Sequence, residues 1–180
     1  LMMGKNCHLV IYPINKKKVL INCRNSGTTL RLLTPLIAGS KINAKIIGDQ
    51  SLSKRPYRLE FLKEFLMNVK PSKKKFLPLL IKGHTSCIKA KIIIKKPSAQ
   101  MISAATLAGI SSFGETIIEC PNNVRDHTSR LLKHLGYSIK TQNKKKKQFI
   151  KILGKQFLKP IKDYKIPSDI SSSAFLISIA

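Results

Sequence analysis

The 180-residue sequence has no tryptophan, and only 6% of its residues are aromatic. Its positive charge is large, with 34 Lys and Arg against 8 Asp and Glu, yet few of the cations are arginine. Aromatic rings and guanidinium planes are the surfaces on which single-stranded nucleic acids stack. The composition therefore argues against nucleic acid as a specific partner. It favours a globular domain with a solvated, lysine-rich surface.

Signals for metal binding, secretion and membrane insertion are also absent from the sequence. The four cysteines form no C-x-x-C pair, which argues against a zinc site and for a reduced, intracellular compartment. Apolar stretches are shorter than the roughly 18 residues expected of a membrane span, and no signal peptide opens the chain. We expect no metal, no cofactor and no membrane partner. The chain starts at Leu1 and ends at Ala180 in an apolar segment, so we interpret both ends as cut.

Two turn motifs, 24 residues apart, are the most informative feature of the sequence. Residues 24–31 read RNSGTTLR, and residues 48–56 read GDQSLSKRP. Each motif places a small, hydrogen-bonding turn directly before a helical pattern. Free backbone N–H groups and the positive end of a helix dipole then lie beside an arginine. This combination predicts a site for phosphate or carboxylate groups.

The hydrophobic pattern predicts a mixed α/β (α+β) fold that repeats one unit at a spacing of about 70 residues. Strands are predicted at residues 9–12, 19–22, 44–47, 77–81, 92–94, 116–119, 137–140 and 148–153. A first helix is predicted from Thr28 to Gly39, with Pro35 kinking or shortening it. A second is predicted to begin at Pro56 and to bury a face made of Leu59, Leu62, Leu66 and Val69. Two more are predicted at 98–108 and at 126–135, the last between an Asp126 cap and a Gly136 stop. Lysines 144–147 are interpreted as a hairpin tip, and the strand pair before Arg24 as the tail of an earlier unit.

Five short motifs follow one another along the chain. They are Asn25-Ser26-Gly27-Thr28 with Arg31; Gly48-Asp49 with Lys54-Arg55-Pro56; Ser98-Ala99-Gln100; Arg125-Asp126-His127-Thr128; and Asp169 with Ser171, Ser172, Ala174 and Phe175. In this order and spacing the chain resembles the 5-enolpyruvylshikimate-3-phosphate synthase family, the 3-phosphoshikimate 1-carboxyvinyltransferases. One such motif could be any turn, but five in order are not expected by chance.

The resemblance implies the enolpyruvyl transferase fold, a two-domain inverse α/β barrel in which each domain contains three βαβαββ units. Residues 1–166 would be most of the N-terminal-type domain without its first unit. Residues 167–180 would be the crossover and the start of the second domain. The resemblance implies a full-length protein that is monomeric and cytoplasmic, with import into an organelle left open because the N-terminus is missing.

The activity implied by the resemblance is that of a transferase of the shikimate pathway, which leads to aromatic amino acids. The enolpyruvyl group of phosphoenolpyruvate would move to the 5-hydroxyl of shikimate 3-phosphate through a tetrahedral intermediate that expels phosphate. The catalytic residues would lie beyond Ala180. We therefore expect this segment to be inactive by itself.

The resemblance also assigns residues to the two substrates. Phosphoenolpyruvate would contact Gly27, Arg55 and Gln100, and shikimate 3-phosphate would contact Ser98, Ala99, Gln100 and Arg125. Asn25, Arg31, Asp49 and Lys54 would shape the motifs, and Asp126 and His127 would start a helix rather than transfer protons. Gly27 would let a backbone N–H approach the ligand without an intervening Cβ, and would leave room for a phosphonate such as glyphosate.

The sequence departs from the family pattern at Arg24, where relatives commonly have Gly, at Val124, where a Ser or Thr is frequent, and at Ile102, where Lys is frequent. Three other interpretations remain open at this point. One is the related UDP-N-acetylglucosamine enolpyruvyl transferase. Another is a basic module that binds nucleic acid or an anionic surface, and the third is a degraded gene remnant.

Overall fold

Two β-sheets and four α-helices make up residues 10–14, 18–73 and 75–158, the parts of the chain that the computed structural model describes. The first sheet contains β1 (Val10–Ile14), β2 (Lys18–Asn22), β3 (Asn43–Ile47), β4 (Asn68–Lys73) and β5 (Phe76–Lys82). The second contains β6 (Lys91–Ile93), β7 (Glu115–Pro121), β8 (Ile139–Lys144) and β9 (Lys147–Leu153). The helices are α1 (Gly27–Ala38), α2 (Gln50–Ser53), α3 (Ala99–Ile110) and α4 (His127–His134), with a 3-10 helix at Glu60–Phe65.

The two sheets share one topology, which confirms the predicted repeat. In the first sheet β2 runs parallel to β3, and β5 lies antiparallel between β3 and β4. In the second sheet β6 runs parallel to β7, and β9 lies antiparallel between β7 and β8. Each copy is therefore a βαβαββ unit. Because β2 holds the position that β6 holds in the second copy, it opens the first unit. Its assignment to the tail of an earlier unit was wrong.

Local side chains define where three of the helices begin. Ser26 Oγ accepts a hydrogen bond from the Thr29 N–H at 3.1 Å and so caps α1. Asp49 Oδ1 accepts from the Leu52 N–H at 2.7 Å and caps α2. Ser98 Oγ accepts from the Met101 N–H at 3.4 Å and caps α3. Each helix thus begins at a residue whose side chain satisfies one of the N–H groups that the first turn leaves unpaired.

Of the two effects expected of Pro35, shortening does not occur, because α1 continues to Ala38 and ends at the expected Gly39. The helix expected after Pro56 was wrong. No helix begins at Pro56 or runs to Val69: α2 ends at Ser53, and the 3-10 helix ends at Phe65, followed by Leu66 as a C-cap with a left-handed φ of 58°. Buried Leu62 and Phe65 anchor that short helix, while Leu66 is 57% exposed, so the expected apolar face does not exist.

The fourth helix begins at the expected place but for a different reason. Asp126 occupies the N-cap position of α4, yet its carboxylate accepts no bond from the helix backbone. It pairs with Arg130 Nε at 2.8 Å, so the predicted capping by Asp126 was wrong. Gly136, with a φ of 77°, follows the helix as its predicted stop.

The hydrophobic core lies between the two sheets and the helices that cover them. Alternate residues of β5 and β9 are buried, as expected for strands with one face on the core. Helices α1 and α3 pack against each other, and α3 also covers β7 and β9. Since β2 leads into α1 and β6 leads into α3, each of these helices begins at the carboxyl end of its strand. This arrangement positions the site.

Several expectations fall outside the described residues. They are the domain boundary after residue 166, the motif from Asp169 to Phe175, and the first residue of the predicted strand 9–12. The predicted hairpin tip at lysines 144–147 is confirmed, since Lys144 pairs with Lys147 across the turn. Within the described ranges no helix has the length and apolarity needed to cross a membrane.

Candidate anion-binding site

The first turns of α1 and α3 are joined by side chains. Gln100 Nε2 donates a hydrogen bond to Thr28 Oγ1 at 2.7 Å, and Arg31 Nη1 donates to Gln100 Oε1 at 3.0 Å. The two helices therefore start beside each other, although their first residues are far apart in sequence. The partial positive charges of two helix N-termini add at this end of the pair.

Arg31 connects three segments at this point. Besides Gln100, its Nη1 donates to the Gly27 carbonyl at 3.2 Å and its Nη2 donates to the Pro56 carbonyl at 3.2 Å. The guanidinium thus links α1, α3 and the loop that follows α2. These contacts support the expectation that Arg31 shapes the site.

Gly27 has a structural role beside the one expected from sequence. A Cβ added to Gly27 would lie 2.7 Å from Arg31 Nη1, which is closer than such atoms pack. The missing side chain therefore makes room for the Arg31 guanidinium. Close approach of a ligand to the Gly27 backbone remains a separate prediction.

Arg55 is held at the edge of the same site. Its Nη2 donates to Asn25 Oδ1 at 2.9 Å and to Ser51 Oγ at 2.8 Å, so Asn25 positions the arginine of the second motif. The two motifs also meet through the backbone, since the Asp49 N–H donates to the Arg24 carbonyl at 2.9 Å. Both Arg55 contacts use one nitrogen, which leaves the other N–H groups of this exposed guanidinium available for an anion.

The site carries positive charge that takes part in no ion pair within the described ranges. Burial lowers the pKa of Arg31, and the positive charges of Arg58 and Arg55 lower it further. The ion pairs of the described residues are Lys63–Glu64, Arg130–Asp126 and Lys147–Glu119, and none includes these three arginines. An unpaired cluster of cations next to two helix N-termini is suited to bind an anion.

The residues expected to contact the second anion lie in the second unit. Ser98 and Ala99 open α3 beside Gln100, and Arg125 is exposed just before α4. Helix α4 is tied to α3 by a 2.7 Å hydrogen bond between Ser103 and Thr128. No hydrogen bond of the described residues connects Arg125 to the Arg31–Gln100 group. Lys54 is exposed at the end of α2.

Two residues of the site were missed from sequence. Thr28 was read only as part of a turn motif, but its hydroxyl holds Gln100. Arg58 was not singled out, although its charge acts on Arg31 more strongly than that of Arg55. The Arg-Pro-Tyr-Arg spacing, with no acidic residue between the arginines, was the available signal.

Two of the cysteines that the structure describes, Cys23 and Cys120, are poorly suited to act as nucleophiles. Cys23 precedes the first motif but is buried, and this burial raises its pKa to about 11. Burial also raises the pKa of Cys120 to about 11. A protonated thiol is a poor nucleophile and a poor metal ligand. Among the described residues no group of three or more His, Cys, Asp and Glu could hold a metal ion.

Comparison with known proteins identifies the family. The family model for EPSP synthase (3-phosphoshikimate 1-carboxyvinyltransferase) matches residues 8–180. The chain is 36% identical to the 3-phosphoshikimate 1-carboxyvinyltransferase of Caldicellulosiruptor bescii, in a match that covers 94% of this chain. It is 40% identical to the 3-phosphoshikimate 1-carboxyvinyltransferase of Coxiella burnetii, in a match that covers 89% of this chain. The structure matches EPSP synthase from Acinetobacter baumannii with a TM-score of 0.78 and 34% identity, over 87% of this chain and 35% of that one.

The chain spans only part of each relative. It covers 39% of the Caldicellulosiruptor bescii protein and 36% of the Coxiella burnetii protein. The family model nevertheless matches nearly the whole of this chain, including both βαβαββ units and the arginine cluster of the first unit. The chain belongs to the EPSP synthase family, and its fold is the enolpyruvyl transferase fold.

Proposed function

We propose that this chain forms part of the substrate site of an enzyme that transfers the enolpyruvyl group of phosphoenolpyruvate to the 5-hydroxyl of shikimate 3-phosphate. The observation that carries the proposal is the cluster of Arg31, Arg55 and Arg58, which joins none of the ion pairs of the described residues and lies beside the N-termini of α1 and α3. Both substrates carry a phosphate and a carboxylate. Clustered guanidinium groups and helix N-termini are the groups that bind such anions.

The arrangement supports a division of the site between the two units. Arg55 and the first turn of α1 would bind phosphoenolpyruvate, and the first turn of α3 with Arg125 would bind shikimate 3-phosphate. Gln100 lies between them, with its amide held by Arg31 and Thr28. To contact a ligand through either end of this amide, Gln100 would exchange one of these hydrogen bonds for one to the substrate. Its proposed role is thus to place the two reactants side by side.

The test is activity in a chimera, because the chain covers little more than a third of the length of each of these two relatives. In the Coxiella burnetii relative, the matching segment is replaced by this chain, and release of inorganic phosphate is followed with both substrates present. We expect turnover that requires both. UDP-N-acetylglucosamine offered in place of shikimate 3-phosphate should give none, and turnover with it would identify the related transferase instead.

Single substitutions in the chimera test the residues. Arg55→Ala should lower kcat/KM for phosphoenolpyruvate roughly tenfold to a hundredfold, the effect of losing a charged hydrogen bond to the ligand. Arg130→Ala is the matched control, since Arg130 is largely exposed and pairs with Asp126 outside the arginine cluster. It should change kcat/KM by less than about twofold. A folded chimera that is inactive, or equally sensitive to both changes, would contradict the proposal.

The assembly and compartment of the whole protein are also proposals. As the family resemblance implies, we propose a monomer that works in the cytoplasm. Sedimentation of the chimera tests the first statement. A dimer at micromolar concentration would contradict it.

A further inference from the structure

Arg58 lies in a turn that is anchored on both sides. The Arg31 guanidinium donates to the Pro56 carbonyl at 3.2 Å, and the Tyr57 N–H donates to the Lys75 carbonyl at 3.0 Å. Tyr57 and Leu59 are buried, with 6% and 1% of their surface exposed. Arg58 between them is exposed, so this member of the arginine cluster is held at the surface.

The backbone of Arg58 adopts a conformation that is unfavourable for arginine. Its φ is 57°, in the left-handed region that glycine and asparagine enter more readily than residues with long side chains. Unfavourable backbone conformations persist where the surrounding structure enforces them, and they concentrate at ligand sites. An arginine at this position therefore calls for a reason other than the geometry of the turn.

The positive charge of Arg58 has no ion-pair partner among the described residues, since none of their ion pairs involves it. The acidic residue nearest in sequence, Glu60, acts on Tyr57, whose pKa it raises in addition to the larger effect of burial. Arg58 is the first of the charged neighbours that lower the pKa of Arg31. The turn thus adds a cation to a site that already contains two.

We propose that Arg58 is a specificity-determining residue of the anion site, which strengthens binding of ligands that carry a phosphate group. It does so by adding its positive charge to those of Arg31 and Arg55. This inference rests on the proposed function, because it takes the arginine cluster as the phosphoenolpyruvate site. A phosphate near neutral pH carries close to two negative charges and gains more from a third cation than a carboxylate does.

The experiment measures binding of phosphoenolpyruvate to the chimera by titration calorimetry at two salt concentrations. Arg58→Asn removes the charge and keeps a residue that tolerates left-handed backbone. We expect it to weaken binding roughly fivefold at low salt and to reduce the salt dependence of Kd. Arg58→Lys retains the charge and should stay within about twofold of the parent.

Lys155→Asn is the matched control. Lys155 also carries a positive charge and has a left-handed backbone, with a φ of 58°. Its N–H donates to the Ile110 carbonyl, so it lies at the opposite end of α3 from the site. Removing its charge should leave Kd within about twofold. Equal loss of affinity in Arg58→Asn and Lys155→Asn would show an effect of net charge alone and would overturn the inference.

The remaining outcomes separate this inference from the proposed function. If Arg58→Asn binds like the parent while Arg55→Ala loses affinity, the site is correct and Arg58 has no part in it. If neither change matters, both proposals fail. Arg58→Gly checks for a structural effect, because it removes the charge in the residue best suited to this backbone. The inference is supported if Arg58→Asn and Arg58→Gly both bind more weakly while their melting temperatures stay unchanged. It is overturned if both variants bind more weakly and both have lower melting temperatures.

Discussion

Replacing Gly27 by alanine tests the geometry of the site most directly. The new Cβ would lie 2.7 Å from Arg31 Nη1, while the next nearest atoms, Arg31 Cζ and Leu52 Cδ1, are 3.8 Å away. The only close neighbour is the end of a flexible side chain, so the guanidinium can move aside. The cost of the substitution is therefore the hydrogen bonds that Arg31 gives up, rather than a fixed overlap of atoms.

The magnitude follows from two opposing effects. Arg31 donates to Gly27, Gln100 and Pro56, and each hydrogen bond from a charged group contributes about 1.5–3 kcal/mol. Partial exposure of Arg31 places these bonds at the lower end of that range. Alanine at the first position of α1 recovers up to about 1 kcal/mol of helix propensity relative to glycine. If Arg31 loses one or two bonds, the free energy of unfolding should fall by about 0.5–2 kcal/mol.

The assay is urea unfolding followed by far-ultraviolet circular dichroism, since the chain has no tryptophan for fluorescence. The control is a double-mutant cycle with Arg31→Ala. Once the guanidinium is absent, Gly27→Ala has nothing to displace and should be neutral or stabilising, giving a coupling of about 1 kcal/mol or more. If Gly27→Ala costs the same with and without Arg31, or stabilises the parent, the proposed relation between the two residues is wrong.

Two further predictions concern stability. Thr106→Val should raise the unfolding free energy by about 1 kcal/mol in urea denaturation, because Thr106 Oγ1 is buried without a hydrogen-bond partner and valine has nearly the same shape; a loss of stability would reveal a partner for this hydroxyl. Burial raises the pKa of Cys23 from 9.0 to about 11, so the unfolded chain loses this proton first as pH rises. The contribution of the buried, protonated Cys23 thiol to stability is complete below about pH 9 and is lost as the pH rises towards 11. Cys23→Ala should therefore make the urea midpoint less sensitive to pH across this window. An unchanged pH dependence would contradict the assignment.

The repeat and most of its elements were predictable because they depend on local patterns. Ser26 and Ser98 cap helices that carry apolar residues at helical spacing, and β5 and β9 alternate between buried and exposed residues. The error after Pro56 has a tertiary cause. Leu62 and Phe65 are drawn into the core by neighbouring strands, so a short 3-10 helix and β4 replace the continuous helix that spacing alone suggested.

The site residues divide in the same way. The motifs and their order were enough to indicate the family and to select Gly27, Arg55 and Gln100 as candidates, because residue type and spacing are written in the chain. Which residues touch could not be read from it. The bonds from Arg31 to Gln100 and from Gln100 to Thr28 join residues about 70 positions apart, and only the packing of α1 against α3 brings them together.

The sequence alone therefore determined the repeated unit, the excess of positive charge and the turns that collect free N–H groups. The tertiary structure decided that Arg31 is the link between the two units, that Gly27 must stay small for its sake, and that Arg58 lies left-handed beside the cluster. The physical reason is that capping and periodicity act over a few residues. The charge and shape of a site, in contrast, depend on segments that meet only after the sheets and helices have packed.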